Sequence, residues 1–545
     1  MKAKIAFLIV SIFIRCTLYG ATKPCASHGG PVRRGEGSGI CTGNYHTSLH
    51  LVSVGATLNH DSLGSADDGG FGKGFLLSLE QWFTLNTPTT GTLYTGNGSA
   101  VKYKKSDSSD IWYALDPTVS DHTLKVNPTL VTETTLNGAT FNYTKATNGN
   151  YLISNFSDLN SNSAAFARDG SGRLNSVSYD NGQSLTFTYS AGHVSKITDV
   201  GGNSYTLGYD TAGHLTGITF PGNRFGRLDY NNDFIAKITT PEGRVTELQY
   251  DGAGDLAKVK WPEGDVCNFS YTASSVNADC THSAINESFG TKGILSRTIA
   301  GVTESWERDE IGRITKYISG LGEESKFFYN DSSFRVAKRT DSDGNTEEYT
   351  YNNWGRVLSS TMTVGSGNIQ ERMAYNALNL PAKFTRNSRE TAFTYDSKGN
   401  LTSIKDWLGN QVNATYNSKG QTLSLSDGVR TTRYAYDAIG HLSSITYPNG
   451  RVTNLTTDQL GRLTQLNAPD SVTYNYSYAS TLDFQSAGVV YNKGSKKEEL
   501  SQTFTRSADG SFQSTSLWSV KGKTLIKESN YFDSEGRAIR TERSQ

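Results

Sequence analysis

Apolar and polar positions alternate along most of this 545-residue chain, in short runs that end at turn signals. Residues 47–51 and 52–58 show the pattern early in the chain, and residues 84–165 carry weaker, longer runs of the same kind. A period of two is typical of strands with one buried face. No stretch in 84–165 has the helical period over an ordinary helix length, so the pattern predicts an all-β chain.

A turn motif recurs through the chain at a fixed spacing of 20 or 21 residues. In each unit an aromatic residue ends a strand, Asp or Asn begins a turn by bonding its own backbone, and Gly supplies the positive φ. A basic or polar residue and Leu then open the next strand. A fixed period indicates a repeat architecture. Because a lone hairpin is marginal in water, the Tyr and Leu of each unit must pack against neighbouring units. The clearest motif residues are Tyr209, Asp210, Gly213, Tyr250, Asp251, Gly254, Tyr395, Asp396, Gly399, Tyr436, Asp437, Gly440, Gly461 and Arg462.

Tyr-Asp-x-x-Gly followed by Arg or His and Leu resembles the YD repeat of the rearrangement-hotspot (Rhs) family, which includes toxin-complex shell proteins and teneurins. The stretch Gly70 to Phe75 is similar to the opening turn of Rhs-type shells, with Phe75 where Trp is commoner. The resemblance implies tandem β-hairpins in a long, coiled, curved sheet that forms an open or partial shell. Full relatives end in a core segment with Asp-Pro-x-Gly and a variable toxin. We find neither and expect this chain to lack both.

The pattern divides the chain into five predicted regions. These are a signal peptide at 1–21, a loose lead-in at 22–45, an N-terminal β segment or cap at 46–165, a YD-repeat array at 166–470 and degenerate C-terminal repeats at 471–545. A terminal segment that seals the array is expected, since repeat arrays need capping units.

Composition and charge agree with this prediction. The chain has 29 Tyr, 23 Phe and only 3 Met, which favours strands over helices. Its formal net charge is zero, so it lacks the electrostatic footprint of a nucleic-acid-binding protein.

The first residues predict export. Lys2 and Lys4 precede the apolar run from Ile5 to Ile14, and the small residues Gly20 and Ala21 follow as a cleavage region. Ten residues are too few to span a bilayer. A lipoprotein signal and an uncleaved anchor are the alternatives. After cleavage we expect no transmembrane segment and a periplasmic, cell-surface or extracellular location.

Four cysteines remain if Cys16 leaves with the signal. Cys267 and Cys280 flank one hairpin, so a disulfide across it is plausible, and Cys25 with Cys41 would then tie down the start of the chain. Four cysteines allow three pairings, and free thiols are the alternative. A zinc site is not expected, because no Cys or His cluster has ligand spacing.

No catalytic, cofactor or metal site is predicted. The acidic residues that could be paired as glycosidase carboxylates are the repeat Asp residues, and a residue present in every unit serves the turn. His193, His214 and His441 occupy the slot where other units have Arg, which predicts a stacked ladder on the surface of the sheet rather than a ligand set. No recognised nucleophile or metalloprotease motif has a supporting constellation.

Three functions compete at this point. The first is a non-enzymatic exported scaffold that binds carbohydrate or protein in a groove with exposed aromatic residues. The second is a partial or split Rhs shell component, with a toxin cargo or a neighbouring shell protein as its partner. The third, an enzyme, would need converging carboxylates or a metal site outside the repeat register.

Overall fold

The computed structural model describes most of the chain from residue 46 onward. The described ranges are 46–51, 56–61, 70–71, 73, 75–96, 100–106, 109–115, 122–135, 138–241, 243–262, 264–272, 275–281, 283–290, 293–310, 313–330, 335–352, 356–469, 472–478, 484–493, 496–506, 511–520, 523–532 and 537–544. The predicted signal peptide and lead-in lie outside them, as do Cys25 and Cys41. Within these ranges the chain forms strands and no helix, which confirms the predicted all-β class.

Three short strands form a separate antiparallel sheet at the start of the described chain. They are β1 (His46–Leu51), β2 (Ala56–Asp61) and β3 (Phe75–Leu77). Leu58, Phe71, Phe75 and Leu77 from this part of the chain are buried and join the core of the following repeats.

The next eight strands close into a barrel. They are β4 (Gln81–Thr87), β5 (Thr90–Thr95), β6 (Ala100–Lys105), β7 (Ile111–Ala114), β8 (Thr123–Val126), β9 (Leu130–Thr134), β10 (Thr140–Lys145) and β11 (Tyr151–Ser157). Each strand pairs with the next, and the first half of β11 returns to pair with β4. An eight-stranded barrel has an interior just wide enough for side chains to fill.

The barrel interior is a second core with a polar cluster at its edge. Phe83, Leu93, Tyr103, Trp112 and Tyr143 are among its buried residues. The buried carboxylate of Glu133 accepts hydrogen bonds from the Tyr143 hydroxyl at 2.7 Å and lies 2.7 Å from Nδ1 of His122. Burial and the nearby Glu133 carboxylate raise the pKa of Tyr143, so its hydroxyl stays protonated and donates.

The sheet branches at β11. The second half of this strand, from Asn155 to Ser157, pairs with β12, so the barrel continues without interruption into the repeat array. The array strands are β12 (Ser163–Arg168), β13 (Leu174–Tyr179), β14 (Ser184–Ser190), β15 (His193–Asp199), β16 (Ser204–Tyr209), β17 (Leu215–Phe220), β18 (Arg224–Asn231), β19 (Phe234–Thr239), β20 (Val245–Tyr250), β21 (Leu256–Lys260), β22 (Val266–Tyr271), β23 (Ser275–Cys280), β24 (Ser283–Gly290), β25 (Gly293–Ile299), β26 (Val302–Arg308), β27 (Ile314–Ile318), β28 (Glu324–Phe328), β29 (Lys338–Thr340), β30 (Thr346–Tyr351), β31 (Val357–Val364), β32 (Gly367–Tyr375), β33 (Pro381–Arg386), β34 (Arg389–Tyr395), β35 (Leu401–Lys405), β36 (Gln411–Tyr416), β37 (Thr422–Ser426), β38 (Thr431–Tyr436), β39 (Leu442–Thr446), β40 (Val452–Thr457), β41 (Leu463–Asn467), β42 (Val472–Tyr478), β43 (Phe484–Lys493), β44 (Lys496–Arg506), β45 (Phe512–Val520), β46 (Lys523–Phe532) and β47 (Ala538–Ser544).

Most repeat units carry a register shift at the motif tyrosine, although the β22–β23 pair that contains Tyr271 has none. Between Gly208 and Tyr209, for example, β16 changes register against β17, so that Tyr209 opposes Leu215 while Gly208 opposes Gly217. A bulge of this kind bends the strand and increases the local twist. Repeated in most units, it coils the sheet.

Turns that are far apart in the sequence contact each other through polar side chains. Asn160, in the β11–β12 turn, exchanges two side-chain hydrogen bonds with Asn400 in the β34–β35 turn, 23 strands later. Lys419 pairs with Asp180 and donates to the Ser161 carbonyl at 2.8 Å. These contacts join the turns of one revolution of the sheet to the turns of the next revolution.

Removal of the Tyr143 hydroxyl tests the barrel core. Tyr143→Phe leaves a buried Glu133 oxygen without its donor, so the free energy of unfolding should fall by about 1–3 kcal/mol. Urea denaturation followed by near-UV circular dichroism measures the change. Tyr113→Phe, in an exposed position on the same barrel, is the matched control and should change stability by no more than about 0.5 kcal/mol. Equal effects of the two variants would contradict this account of the core.

Candidate functional site

The Asp of each motif serves the turn, as the sequence predicts. Oδ1 of Asp210 accepts the backbone N–H of Ala212 and of His214, both at 2.9 Å. Gly213 has a φ of 86°, a left-handed conformation that side chains oppose. Oδ1 of Asp251, Asp396, Asp437 and Asp458 accepts the same two N–H groups of its own turn, and Gly254, Gly399, Gly440 and Gly461 have positive φ.

The second carboxylate oxygen holds the side chain four residues later. Oδ2 of Asp458 accepts Nε of Arg462 at 2.7 Å, and Oδ2 of Asp210 lies 2.8 Å from Nδ1 of His214. His214 is buried, and its Nε2 lies 2.9 Å from Asp233, which also pairs with Lys73. The carboxylates therefore fix the turn and orient the residue four positions later, which we call the slot residue. They belong to separate turns along the sheet.

The slot residue stacks on the tyrosine of the next unit. His193 lies on Tyr209 and His214 on Tyr230, each with ring centroids 4.6 Å apart. Arg462 lies 4.4 Å from the ring centre of Tyr478. The stacking expected for this slot is present in these units, and Phe234 fills the same slot against Tyr250. The prediction of a surface ladder is wrong at His214, which is buried between its Asp, Asp233 and the Tyr230 ring.

The tyrosine hydroxyl completes the link between units. It donates to the backbone carbonyl 15 residues earlier, at 2.6–2.9 Å, in the pairs Tyr189–Leu174, Tyr209–Val194, Tyr230–Leu215, Tyr271–Leu256, Tyr329–Ile314, Tyr351–Val336, Tyr416–Leu401 and Tyr478–Leu463. Burial raises the pKa of Tyr189, Tyr230 and Tyr271, so these hydroxyls remain donors at any physiological pH.

One face of the sheet carries an apolar row. In most units the residue two positions before the motif tyrosine pairs across the strands with an apolar residue of the next strand, as Leu207 does with Ile218. The row is interrupted where Phe327 pairs with Arg339 and Tyr349 with Ser360. In the array up to β22 this row is buried under the three-stranded sheet that contributes Leu58, Phe75 and Leu77. The N-terminal sheet is therefore the cover of the first part of the row.

The same row is uncovered farther along the array. Phe393 pairs with Ile404, Ile404 with Val412, and Ala414 with Leu425, in the register of the buried row. Yet Ile404, Val412 and Leu425 are 36%, 46% and 39% exposed. We call Phe393, Ile404, Val412, Ala414 and Leu425 the open row. The sequence shows these apolar positions but not whether anything covers them, so the open row was not predicted as a site.

A shallow groove of about 330 Å³ lies on the open row. Val412, Leu425 and Thr432 line it, and the Asp427–Arg430 ion pair and Pro448 lie beside them. Among the described residues, no group of three or more His, Cys, Asp or Glu side chains could hold a metal ion. The open row can therefore bury an apolar surface and offer hydrogen bonds at one end.

The predicted hairpin disulfide is present between Cys267 and Cys280. The two residues face each other directly, in paired positions of β22 and β23. The bridge lies where the motif spacing becomes irregular, beside the pair of Phe269, which is partly buried, and Ala278, which is buried.

Two segments of the chain, residues 130–235 and 360–516, match the family model described as Teneurin YD-shell. These segments make up just under half of the chain, and they carry the YD-shell repeat. The family resemblance drawn from the motif is thus confirmed, and the matched segments of this YD-repeat chain include part of the barrel and the whole open row. No curated protein matches the chain.

Solved toxin-complex structures are similar over most of this chain. The crystal structure of TcdB2-TccC3-Cdc42 matches with 11% identity and a TM-score of 0.33, covering 89% of this chain and 35% of that one. TcdB2-TccC3 gives 11%, 0.32, 91% and 36%, and the Photorhabdus luminescens Tc holotoxin pore gives 10%, 0.31, 89% and 34%. This YD-repeat chain spans about a third of the length of these matched chains. Within its described part, no helix is long and apolar enough to cross a membrane.

The turn carboxylates predict acid sensitivity. A hydrogen bond from the Asn410 side chain lowers the pKa of Asp406, and the backbone N–H and guanidinium of Arg430 lower the pKa of Asp427 to about 2. A carboxyl whose pKa is lower in the folded state stabilises the fold above its unfolded pKa of about 3.9, and this contribution is lost as pH falls through the folded pKa. The urea midpoint should therefore stay level to about pH 4 and fall between about pH 4 and 2.

Asp406→Asn separates titration from geometry. Asn keeps the accepting oxygen, as Asn417 does in its own turn, where Oδ1 accepts two backbone N–H groups at 3.0 Å. The variant should keep most of its stability at pH 7 and show a smaller loss between pH 4 and 2. A pH profile identical to that of the unchanged chain would argue against this role of Asp406.

The disulfide predicts a redox-sensitive stability. Cys267 and Cys280 are 13 residues apart in the chain, so breaking the bridge should lower the free energy of unfolding by about 2–3 kcal/mol. Denaturation with and without dithiothreitol measures it. The Cys267→Ser/Cys280→Ser variant is the control, because it should already have the lower stability and should respond less to the reductant, with any remaining response due to the other cysteines.

Proposed function

We propose that this YD-repeat chain is an exported, non-enzymatic scaffold whose open row binds a polypeptide. The supporting observation is the contrast along one face of one sheet. Ile218 and Leu248 are buried in the core that the N-terminal sheet joins, while Ile404 and Val412, on the same face of the sheet farther along, are exposed. Removing apolar surface from water contributes roughly 25 cal/mol per Å², so an uncovered row of this length favours a partner.

The N-terminal sheet, which packs on the first part of the row, indicates what kind of partner the open row would bind. There, side chains two residues apart on a strand, Phe75 and Leu77, lie against the array. An extended segment with apolar side chains at alternate positions has the matching period. The open row therefore fits an extended or unfolded polypeptide better than a hydroxyl-rich ligand. A toxin-like cargo or a segment of a neighbouring shell protein has this chemistry, and the family description as a shell agrees with it.

Export is part of the proposal. The Cys267–Cys280 disulfide supports an oxidising compartment, because disulfides persist in secreted and periplasmic proteins and are rare in the cytosol. The signal-like start of the chain points to the same compartment. We do not assign a catalytic role, since the acidic residues of the turns are bound to their own backbones.

A second candidate function is a component of a larger shell, and the rim of the array favours it. The turns after β35, β37 and β39 expose Trp407, Leu408, Val429 and Tyr447. One revolution earlier, the β11–β12 turn also follows an odd-numbered strand, and it contacts the β34–β35 and β36–β37 turns, which carry the Asp and Gly of the motif. Another YD sheet could stack on this rim in the same way. Limited proteolysis, alone and with the products of neighbouring genes, tests this: protection of the rim by a neighbour supports it.

Binding of an unfolded polypeptide tests the main proposal. The probe is fluorescently labelled, reduced and carboxymethylated α-lactalbumin, and fluorescence anisotropy measures its affinity for the full chain. Val412→Asn places an amide in the open row and should weaken binding about tenfold, the loss that corresponds to about 1.4 kcal/mol.

Val452→Asn is the matched control. Val452 is 38% exposed, close to the exposure of Val412, but it lies on the opposite face, since its neighbour Thr453 pairs with Ile445 on the face of the row. It should bind the probe as the unchanged chain does. No binding by the unchanged chain, or equal losses in the two variants, would contradict the proposal.

A further inference from the structure

Three neighbouring turns at one edge of the sheet carry apolar side chains at their tips. They follow β35, β37 and β39, and we call Trp407, Leu408 and Val429 the rim tips. These side chains are 52%, 64% and 91% exposed, and Tyr447 in the third turn is 39% exposed. Turns of this kind usually carry Gly, Pro, Asn, Asp or Ser. A group of exposed apolar side chains marks a contact surface.

The turns fix the backbone that carries the rim tips. Oδ1 of Asp406 accepts the backbone N–H of Leu408 at 2.9 Å, and Oδ1 of Asp427 accepts that of Val429 at 3.1 Å. Gly428, just before Val429, has a φ of 88°, which sets the reversal of the chain. The apolar side chains are therefore held at the edge of the sheet, where they face solvent.

The three turns form a short line. The strands from β35 to β40 pair in sequence order, so each of these turns lies two strands from the next. Neighbouring strands are about 4.8 Å apart, and the line therefore spans roughly 19 Å. Side chains that protrude in a line suit a surface into which they can sink.

Positively charged side chains flank the rim tips. Arg389 stacks on the Trp407 ring, with 4.5 Å between the guanidinium carbon and the ring centre. Lys405, Arg430 and Arg451 are exposed on the same turns or next to them. Long cationic side chains can lay their stems along an apolar surface while their charged ends reach polar groups.

The carboxylates near this edge are already held within the chain. Oδ1 of Asp406 accepts two backbone N–H groups of its own turn, and Oδ2 of Asp427 accepts the Arg430 guanidinium at 2.7 Å. Glu390, beside Arg389, pairs with Lys383. The four cations that flank the rim tips therefore exceed the two turn carboxylates, and the edge attracts an anionic partner.

We propose that the rim tips dock this chain on the surface of an anionic lipid bilayer. Leu408 and Val429 enter the boundary between headgroups and acyl chains, where interfacial proteins bury their apolar side chains. Trp407 and Tyr447 are of the residue types enriched at the headgroup level. Arg389 and its cationic neighbours face the phosphates, since anionic leaflets attract clustered Lys and Arg.

A second YD sheet is the alternative occupant of this edge, and the position of Leu408 favours the bilayer. Leu408 and Asn160 occupy the same place in their turns, two residues after an Asp whose Oδ1 accepts their backbone N–H. Asn160 exchanges two side-chain hydrogen bonds with Asn400 of the next revolution. Leu408 has no polar group for that exchange, so a sheet stacked there would lack this link and would bury apolar tips against polar turns.

This inference goes beyond the proposed polypeptide site and does not require it. The two surfaces are neighbours, because Arg430 and Pro448 lie beside the groove on the open row and belong to the turns of this edge. A docked chain therefore holds the open row close to the bilayer surface.

Sedimentation of the full chain with vesicles tests the docking. Vesicles of equal parts phosphatidylglycerol and phosphatidylethanolamine should carry the chain into the pellet. Phosphatidylcholine vesicles should bind it about tenfold more weakly, because they lack the negative charge that attracts Arg and Lys. Leu408→Ser/Val429→Ser should weaken binding to the anionic vesicles about tenfold, since interfacial binding scales with buried apolar area. Both side chains are exposed, so the urea midpoint should not change.

Trp407 reports insertion directly. The difference in fluorescence emission between the unchanged chain and Trp407→Phe should move to shorter wavelength when anionic vesicles are added, because the ring leaves water for the headgroup region. Brominated lipids should quench the same difference signal. A difference signal that anionic vesicles leave unchanged would show that Trp407 stays in water and would count against the proposal.

Leu115→Ser is the matched control, because Leu115 is 60% exposed, close to Leu408, but lies on the barrel. It should bind vesicles as the unchanged chain does. Val412→Asn should also keep vesicle binding, and Leu408→Ser/Val429→Ser should bind unfolded α-lactalbumin normally, which separates failure of the rim tips from failure of the open row.

Two results would overturn the docking proposal. One is the absence of binding to anionic vesicles, and the other is an equal loss in Leu115→Ser and Leu408→Ser/Val429→Ser. Protection of these turns by the product of a neighbouring gene, without vesicle binding, would assign the edge to a second sheet instead.

Discussion

The structure depends on the link that each motif tyrosine makes to the unit before it. The ring of Tyr209 receives His193 on its face, and its hydroxyl donates to the Val194 carbonyl at 2.9 Å. The same tyrosine ends a strand at the bulge, so one residue joins two hairpins and sets the bend between them. Because a single hairpin is unstable in water, each unit exists only through such neighbours. The polar motif is thus a packing device, although it consists of Tyr, Asp and Arg or His.

This link explains why the amino-acid sequence repeats closely at the motif turns and varies in the strands. The Asp must reach two backbone N–H groups and one side chain at once, and His214 must meet both its Asp and the next tyrosine. Strand residues between the turns need only keep apolar side chains on one face. The sequence accordingly varies in the strands and repeats at the turns. Successive revolutions of the coil then meet through polar contacts such as Asn160 with Asn400, which fix their relative register.

Local features of the fold could be predicted from the sequence, and closures between distant residues could not. The turns at Asp210 and Asp437, the slot at His214 and the hairpin of Cys267 and Cys280 depend on residues a few positions apart. The barrel depends on Tyr151 finding Phe83, and the coil depends on contacts 240 residues apart. No local pattern marks these pairings, since β4 and β11 resemble any other strand. The degree of cover over the apolar row is non-local for the same reason.

The covered and open parts of the row bear on how the scaffold acts. The N-terminal sheet buries Phe71, Phe75 and Leu77 against the first units, where Ile197 and Leu207 are also fully enclosed. The chain therefore already contains one example of a short β segment held on this face, with geometry that every later unit repeats. A ligand on the open row needs no new type of contact, only the apolar period of the existing cover. The opposite face is free of that constraint, because its side chains support neither the core nor the tyrosine ladder.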